Sequence, residues 1–537
     1  MANVSTTGGK VMSPLGRLFL RKSVEQMHAE HASGELKKSL GALNLILLGI
    51  GCIIGTGIFV LTGRAAAQFA GPGIMISFII TGTLCALVAL AYAELAAAIP
   101  VSGSAYSYSY ASMGEMVAWI MGVLLVLEYG LAASTVAVGW SGYLVSLLHD
   151  FGINIPAALT ASPDTKGIVD AVTGAAVTPV VNLPAVLAIA AVTTLLVIGV
   201  SESALVNNIV VFIKVSVVIA FIVIGAPYVN TANWSPLIPP QMPAPPPGSD
   251  MSMWGQIGDA LWHVVTGTNT ARYGVGGLIA GAATIFFAYI GFEAVSTAGA
   301  ESKNPSRDMP IGIIGSLIIC TILYILTSAV LVGIVPYAQL DNPAPIAMAV
   351  DHIGLPWFAR IVKFGALAGL SSVMLVLLYG QTRIFYTMAR DGLIPSVFSK
   401  VHSKFKTPWV NTLLVGVLAM TFAGGMGLDT LSNVTNVGTL AAFAIICVTV
   451  IYLRFARPDM KRPFKMPTAV MLPVAGLGTI MCLFLLMSLM ANTETRNFFI
   501  IYTIGGFLVY FVYGMWNSKL GRGEMVKGVE HVNPAQP

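Results

Sequence analysis

The sequence predicts an all-α integral membrane protein of about twelve transmembrane helices, on the evidence of composition and block length. Of 537 residues, 56% are hydrophobic and 9% are charged. Soluble chains carry roughly a quarter charged residues and need them for a water-facing surface. The apolar residues fall in blocks of about 20, which at 1.5 Å rise per residue cross a ~30 Å hydrocarbon core. These blocks lie near 41–66, 72–98, 116–147, 184–200, 206–229, 276–299, 310–336, 357–382, 409–427, 430–453, 468–490 and 496–517.

Residues 1–39 form a polar tail. No small-residue cleavage site follows the first block, so that block is expected to be a retained span and not a removable signal peptide. Within the tail, PLGRLFLRKSVEQMHAEH at 14–31 mixes Leu15, Leu18, Phe19 and Leu20 with basic residues. It reads either as a short helix on the membrane surface or as a solvated tail. Five spans fill 40–229, a loop rich in Pro and Trp occupies 230–275, and five more spans run through 276–456. A loop with two peripheral helices occupies 457–518, and 519–537 form the second tail. Each group of five opens with a glycine-broken span. Matching breaks point to an inverted repeat, because an odd number of spans per half forces the second copy to insert upside down.

Charge gives the orientation. Of 28 Lys and Arg residues, 21 fall in the tails and in loops on the same side, 6 on the other side, and Lys214 inside a span. By the positive-inside rule both tails are cytoplasmic. The net charge of +5 follows from this asymmetry and does not indicate a nucleic-acid partner. The five cysteines lie in apolar blocks without CxxC spacing and read as small core residues, with no metal implied. No histidine is mid-span, no G-x-x-x-x-G-K-[ST] loop offers an ATP site, and no H-E-x-x-H motif or Ser/His/Asp grouping suggests an enzyme.

Chemistry concentrates at the two breaks. In span 1, Gly49, Gly51, Gly55 and Gly57 are spaced G-x-G-x-x-x-G-x-G, which is not the dinucleotide fingerprint. One reading is close helix packing, with Gly51 and Gly55 as a G-x-x-x-G pair. The other is unwinding around Gly55, Thr56 and Gly57, freeing amides at a half-helix N-terminus for a carboxylate. In span 6 the weak point is Ala288 to Gly291, whose freed carbonyls suit an ammonium. Together the breaks match the two charges of an α-amino acid. Lys214, about eight residues into span 5, either snorkels to the interface or is a buried amine able to load and release a proton. Glu128, mid-span 3, is a structural carboxyl, faces the substrate path, or pairs with Lys214. Glu293 lies in the inner half of span 6.

These residues are familiar. GCIIGTGIFVLTG at 51–63 and AYAELAAAIPVSGSAYSYSY at 91–110 resemble the amino acid–polyamine–organocation transporters. FFAYIGFEAVSTAGAESKNPSRDMPIGI at 286–313, GQTRIFYTMARDGLIP at 380–395 and RPDMKRPFKMP at 457–467 resemble their cationic amino acid transporter branch, of bacterial type given twelve spans. The resemblance implies a leucine-transporter-like fold of two five-helix inverted repeats with helices 1 and 6 broken, in a plasma or inner membrane. It implies that a substrate carboxylate meets Gly55, Thr56 and Gly57, and that its amino group meets carbonyls of Ile53, Phe287, Ala288 and Ile290. Lys214 matches a fifth-helix lysine whose ammonium stands in for the sodium of sodium-coupled cousins, implying a proton as coupling ion and no other cofactor. Glu128 matches a third-helix glutamate of the branch. Protonated Lys214 is expected to tie span 5 to span 1 carbonyls and to span 8 hydroxyls, with Ser371 and Ser372 the candidates. The expected function is secondary amino acid transport, with an uncoupled exchanger, a substrate-gated channel and a transport-like receptor as alternatives. The oligomeric state and the choice between cationic and neutral substrates are left open.

Overall fold

A chain that meets no water over ~30 Å has to close its backbone hydrogen bonds internally, and helices do so residue by residue. The computed structural model describes residues 17–22, 40–101, 104–165, 167–168, 170, 174–199, 204–242 and 253–523. Among these the regular structure is helical, and isolated extended bridges join Leu40 to Ser302 and Met242 to Arg272. The helices used below are α1 (Ala42–Ile53), α2 (Ile74–Ala98), α3 (Ser104–Ser112), α4 (Glu115–Asp150), α5 (Leu183–Ile198), α6 (Ala204–Gly225), α7 (Met253–Val265) and α8 (Gly274–Ile285). They continue with α9 (Pro305–Ile334), α10 (Pro345–His352), α11 (Pro356–Arg390), α12 (Trp409–Gly425), α13 (Leu428–Ala456), α14 (Thr468–Met490) and α15 (Thr493–Val509).

Among the described residues, nine helices are long and apolar enough to cross a membrane, and α1, α5 and α12 are shorter apolar helices. One of the nine is a continuous helical run, Gly57–Ala98, that covers the end of the first apolar block and all of the second. The twelve blocks therefore do not each become one long helix. α1 stops because the chain unwinds after Ile53. α5 is bounded by local chemistry: Asn182 caps its start by accepting the Ala185 amide at 3.3 Å, Pro184 sits in its first turn, and Gly199 ends it at φ +88°. α5 packs on α12, where Gly416 gives Thr193 room that a Cβ would fill.

The bundle is built by extensive contacts of α11 with α4 and of α9 with α2 and α1. Gly49 on α1 lies directly on α9, where an added Cβ would stand 2.4 Å from the Ser316 hydroxyl. Both described chain ends meet at one end of the bundle. Lys22 pairs with Asp391 at 2.8 Å, the Lys519 amide donates to the Asp391 carbonyl at 3.0 Å, and Ser518 hydrogen-bonds Glu115 at the start of α4. The surface helix expected at 14–31 lies mostly outside the described residues. Those described within it, 17–22, dock on this end. At the opposite end Arg64 bridges Asp341 at 3.1 Å and Asp429 at 2.9 Å. The 230–275 segment read from sequence as a loop contains α7, a helix hidden by the Pro and Trp around it.

One ion cluster is held in the interior. Arg454 of α13 pairs with Glu94 of α2, both side chains 3% exposed. Arg462 reaches the other Glu94 oxygen at 3.4 Å, and Arg454 also donates to Met466 O at 3.0 Å. Removing one partner of a buried pair costs about 3–5 kcal/mol where nothing else compensates the charge left behind, and less here, where Arg462 remains beside Glu94. Arg454→Met is expected to lower the thermal unfolding midpoint in detergent by an amount below about 3 kcal/mol, because Arg462 still faces Glu94. Adding Glu94→Gln to it should recover more than half of that loss.

Candidate functional site

The first helical ladder closes with Ile54, whose amide donates to Ile50 O at 3.0 Å, and a second opens with Phe59, whose amide donates to Gly55 O at 3.3 Å. Gly55, Thr56 and Gly57 fall in the gap. From Gly57 the chain continues as a wide π turn, Gly57–Leu61, with the Thr62 hydroxyl returning to Gly57 O at 3.0 Å. The second break follows α8. A 3₁₀ turn, Phe286–Tyr289, ends in extended Ile290, and Gly291 takes φ +121° before helical structure resumes at Glu293.

The packing read from the Gly51 and Gly55 pair is found at Gly51, where a Cβ would stand 2.9 Å from Val211, and not at Gly55. Gly57 is a packing residue, since a Cβ there would lie 2.2 Å from Ala288 Cα. Gly291 reciprocates, its missing Cβ falling 2.8 Å from the Cys52 carbonyl carbon. Gly55 is not crowded; a Cβ would meet Val373 at an ordinary 3.6 Å. The two broken segments therefore touch backbone to backbone, and a pocket lies beside the contact. It is lined by Cys52, Ile53, Gly55, Thr56, Gly57, Ala132, Val136, Phe287, Ile290, Val373 and Leu377. The free cavity within it is about 10 Å³, room for roughly one water, so a solute enters only when the lining moves apart.

Side chains from neighbouring helices satisfy the opened backbone. Lys214 of α6, fully buried, donates to the carbonyls of Gly51 and Ile54, the latter at 3.2 Å. It does not snorkel. Tyr324 of α9 donates to Ile53 O at 2.9 Å, and Tyr143 of α4 to Phe59 O at 2.8 Å. At the second break Asn436 of α13 donates to Ala283 O at 2.9 Å and Thr284 O at 3.1 Å. The Glu293 carboxylate accepts the Gly291 amide at 2.8 Å.

The structure thus brings Ile53, Gly55, Thr56, Gly57, Phe287 and Ile290 around one pocket, with Ala288 packed behind Gly57. Three expectations change. The Ile53 carbonyl is engaged by Tyr324, and the Phe287 carbonyl accepts the Ile290 amide at 3.3 Å. Among the described residues no donor reaches the carbonyls of Ala288 and Ile290. Glu128 lies one helical turn before Ala132 and does not line the pocket. It does not pair with Lys214 either: its carboxyl faces Glu293 and Thr439, and neither oxygen finds a hydrogen-bond donor among the described residues. The Ser371 hydroxyl donates to Leu367 O at 2.8 Å and accepts the Trp140 indole at 3.0 Å, so it serves α11 and α4 and not Lys214. Lys214 instead lies along α11 at Gly369. Sequence reasoning missed Tyr324, Tyr143 and Asn436. Their signal was a polar group within an apolar block, which is weak because a tyrosine or asparagine there has many ordinary uses.

A pocket at two touching helix breaks, inside a bundle of apolar helices, is the interior of a membrane transporter. The sequence profile of the amino acid permeases matches residues 40–512. The chain is 44% identical to the branched-chain amino acid permease BcaP of Bacillus subtilis, over 94% of this chain and 100% of that one. It is 43% identical to the methylthioribose transporter of the same organism, over 95% and 100%. With vacuolar cationic amino acid transporter 4 of Arabidopsis thaliana it shares 37% identity, over 83% of this chain and 68% of that one. The chain belongs to the amino acid permease family of the amino acid–polyamine–organocation superfamily, as a multi-pass membrane transporter and not an enzyme.

The glycines can be separated by experiment. Gly57→Ala should abolish substrate binding, measured by scintillation proximity on purified protein, because the new Cβ forces the two breaks apart. Gly55→Ala should keep the fold and bind small substrates, while losing about tenfold in affinity for the bulkiest ones as the pocket shrinks.

Proposed function

We propose that the protein is a proton-coupled symporter of neutral aliphatic amino acids, working by alternating access with both termini cytoplasmic. One observation carries the substrate reading. Two helix breaks create four helix ends, and side chains reach three of them: Lys214 on the carbonyl end of α1, Asn436 on the carbonyl end of α8 and Glu293 on the amide end after Gly291. The groups left beside the pocket have opposite polarity, amides around Gly55 to Gly57 and, beyond the Asn436 contact, the carbonyl of Ile290. An α-amino acid presents a carboxylate and an ammonium one carbon apart, and these groups suit that pair. The Thr56 hydroxyl, buried in the lining with no partner among the described residues, adds one more hydrogen bond.

The rest of the lining sets the side chain. Ala132, Val136, Val373 and Leu377 carry no charge, so a cationic side chain would be desolvated there without compensation. The name of the branched-chain relative agrees with an aliphatic substrate. The methylthioribose relative favours a second reading, an uncharged thio-sugar, which needs neither a carboxylate nor an ammonium. Competition assays separate the two. Leucine, isoleucine or valine should displace bound label, while leucinamide and N-acetyl-leucine should be at least about 100-fold weaker. Equal competition by the amide, or displacement by methylthioribose alone, would overturn the amino acid reading.

Coupling rests on Lys214. A protonated ammonium makes charge-assisted bonds to Gly51 O and Ile54 O, roughly twice as strong as a neutral amine would make. Loss of the proton weakens the tie between α6 and α1 and lets α1 tilt, opening the pocket to one side. Substrate and proton then leave together. In proteoliposomes with an inward proton gradient, Lys214→Met should lose uphill accumulation entirely while still exchanging internal for external substrate. Accumulation at the wild-type level would leave an uncoupled exchanger as the better reading.

A further inference from the structure

α7 has three faces, and they differ in kind. At about 100° per residue, Ile257, Ala260 and Val264 share one face, with Ala260 and Val264 buried against the bundle at α8 and α14. A quarter turn away on one flank lie Trp254, Gly258, Leu261 and Val265, with Trp262 beside them. Trp254 is 81% exposed and Trp262 67% exposed, and Leu261 and Val265 are exposed as well. The opposite flank carries Gln256, Asp259 and His263, with His263 and Asp259 paired at 3.5 Å.

A helix on the rim of a soluble assembly would turn its apolar flank inward. Here the protein already covers a separate face, and the apolar and polar flanks point in opposite directions along the side of the bundle. That is the pattern of a helix lying at the boundary between hydrocarbon and water. Tryptophan suits that boundary, with an apolar ring and an N–H for the headgroup region. Two further observations favour lipid over a second copy of the chain. The neighbouring α14 exposes Leu477, Ile480 and Leu483, so both helices present apolar surface outward. Gly267, just past the helix, comes near Met487 in the last turn of α14, which places α7 at a span end.

We propose that α7 is an interfacial anchor whose Trp254–Leu261–Val265 flank, with Trp262, sits in the acyl–headgroup boundary of the leaflet at that end of the bundle. Its only ionisable side chains are Asp259 and His263, and it has no Lys or Arg. The partner is therefore the bilayer interface in general and not an anionic headgroup. The contact also holds the outer approach to α8, the helix that leads into the second break.

The test uses the full-length protein in phosphatidylcholine vesicles. Gly258, where a side chain meets nothing within 4 Å, is replaced by cysteine on the apolar flank, and His263→Cys reports the polar flank. Each is labelled with bimane, the native cysteines being buried. Lipids carrying a nitroxide high on the acyl chain should quench the Gly258→Cys label at least about threefold more than the His263→Cys label. Iodide in the buffer should show the reverse order. Replacing a third of the lipid with phosphatidylglycerol should leave both ratios unchanged. Equal quenching at the two positions would overturn the proposal, as would protection at 258 that grows with protein-to-lipid ratio, which would assign the flank to a second copy.

Discussion

Backbone groups opened inside hydrocarbon are the constraint on which this structure depends. Each N–H or C=O without a partner there costs several kcal/mol, and the chain opens two helices beside each other. The side chains that meet the cost come from four other helices and from the broken segment itself: Lys214, Tyr324, Tyr143, Asn436 and Glu293 each end on a backbone atom at or next to a break. Polar residues in these apolar helices are therefore not scattered exceptions. Their positions follow from where the ladders stop.

Packing fixes the same region from the other direction. Gly57 against Ala288 and Gly291 against Cys52 bring two main chains into direct contact. In contacts this close, a single added methyl has no side chain to push aside and must move backbone. Gly55 is spared because it faces the pocket and not the opposing chain. One short glycine-containing run thus performs two tasks residue by residue, and the pocket owes its small size to the contacts on either side of it.

How much of this could be read from sequence depended on how local each signal was. Twelve apolar blocks, the glycine spacing at 49–57 and the weak point at 288–291 are local properties, and the structure has breaks at both places. The depth of Lys214 within an apolar block was also local, and it marked a residue whose side chain lands on the span 1 backbone. The partners of that backbone were not legible, since Tyr324 and Ile53 are 271 residues apart and nothing in either neighbourhood points to the other. Glu128 illustrates the same limit. Its burial could be inferred from position, but its neighbour, Glu293 instead of Lys214 or substrate, is a matter of how α4 rotates against span 6. Ser371 was placed on the right helix and within one residue of the face towards Lys214, and one residue is about 100° of rotation. α7 escaped because the proline and tryptophan content of 230–275 reads as loop, while its three-faced pattern spans only thirteen residues.

Division of labour between backbone and side chains has a consequence for selectivity. In the reading favoured above, the charged ends of the solute are matched by main-chain groups, whose positions are set by glycine contacts and by the Lys214 and Glu293 caps. Solute identity is then left to a few lining side chains, among them Ala132, Val136, Val373 and Leu377. A frame of that kind can be kept while the lining changes. Relatives at 37–44% identity bear the names of a branched-chain amino acid permease, a methylthioribose transporter and a cationic amino acid transporter, a spread of solutes that a site built from charged side chains would accommodate poorly. The lysine lies on a different side of α1 from that lining, holding Gly51 and Ile54 while Ile53 and Gly55 face the pocket. In that reading coupling and selectivity act on the same helix end through different atoms, and a change in one need not disturb the other.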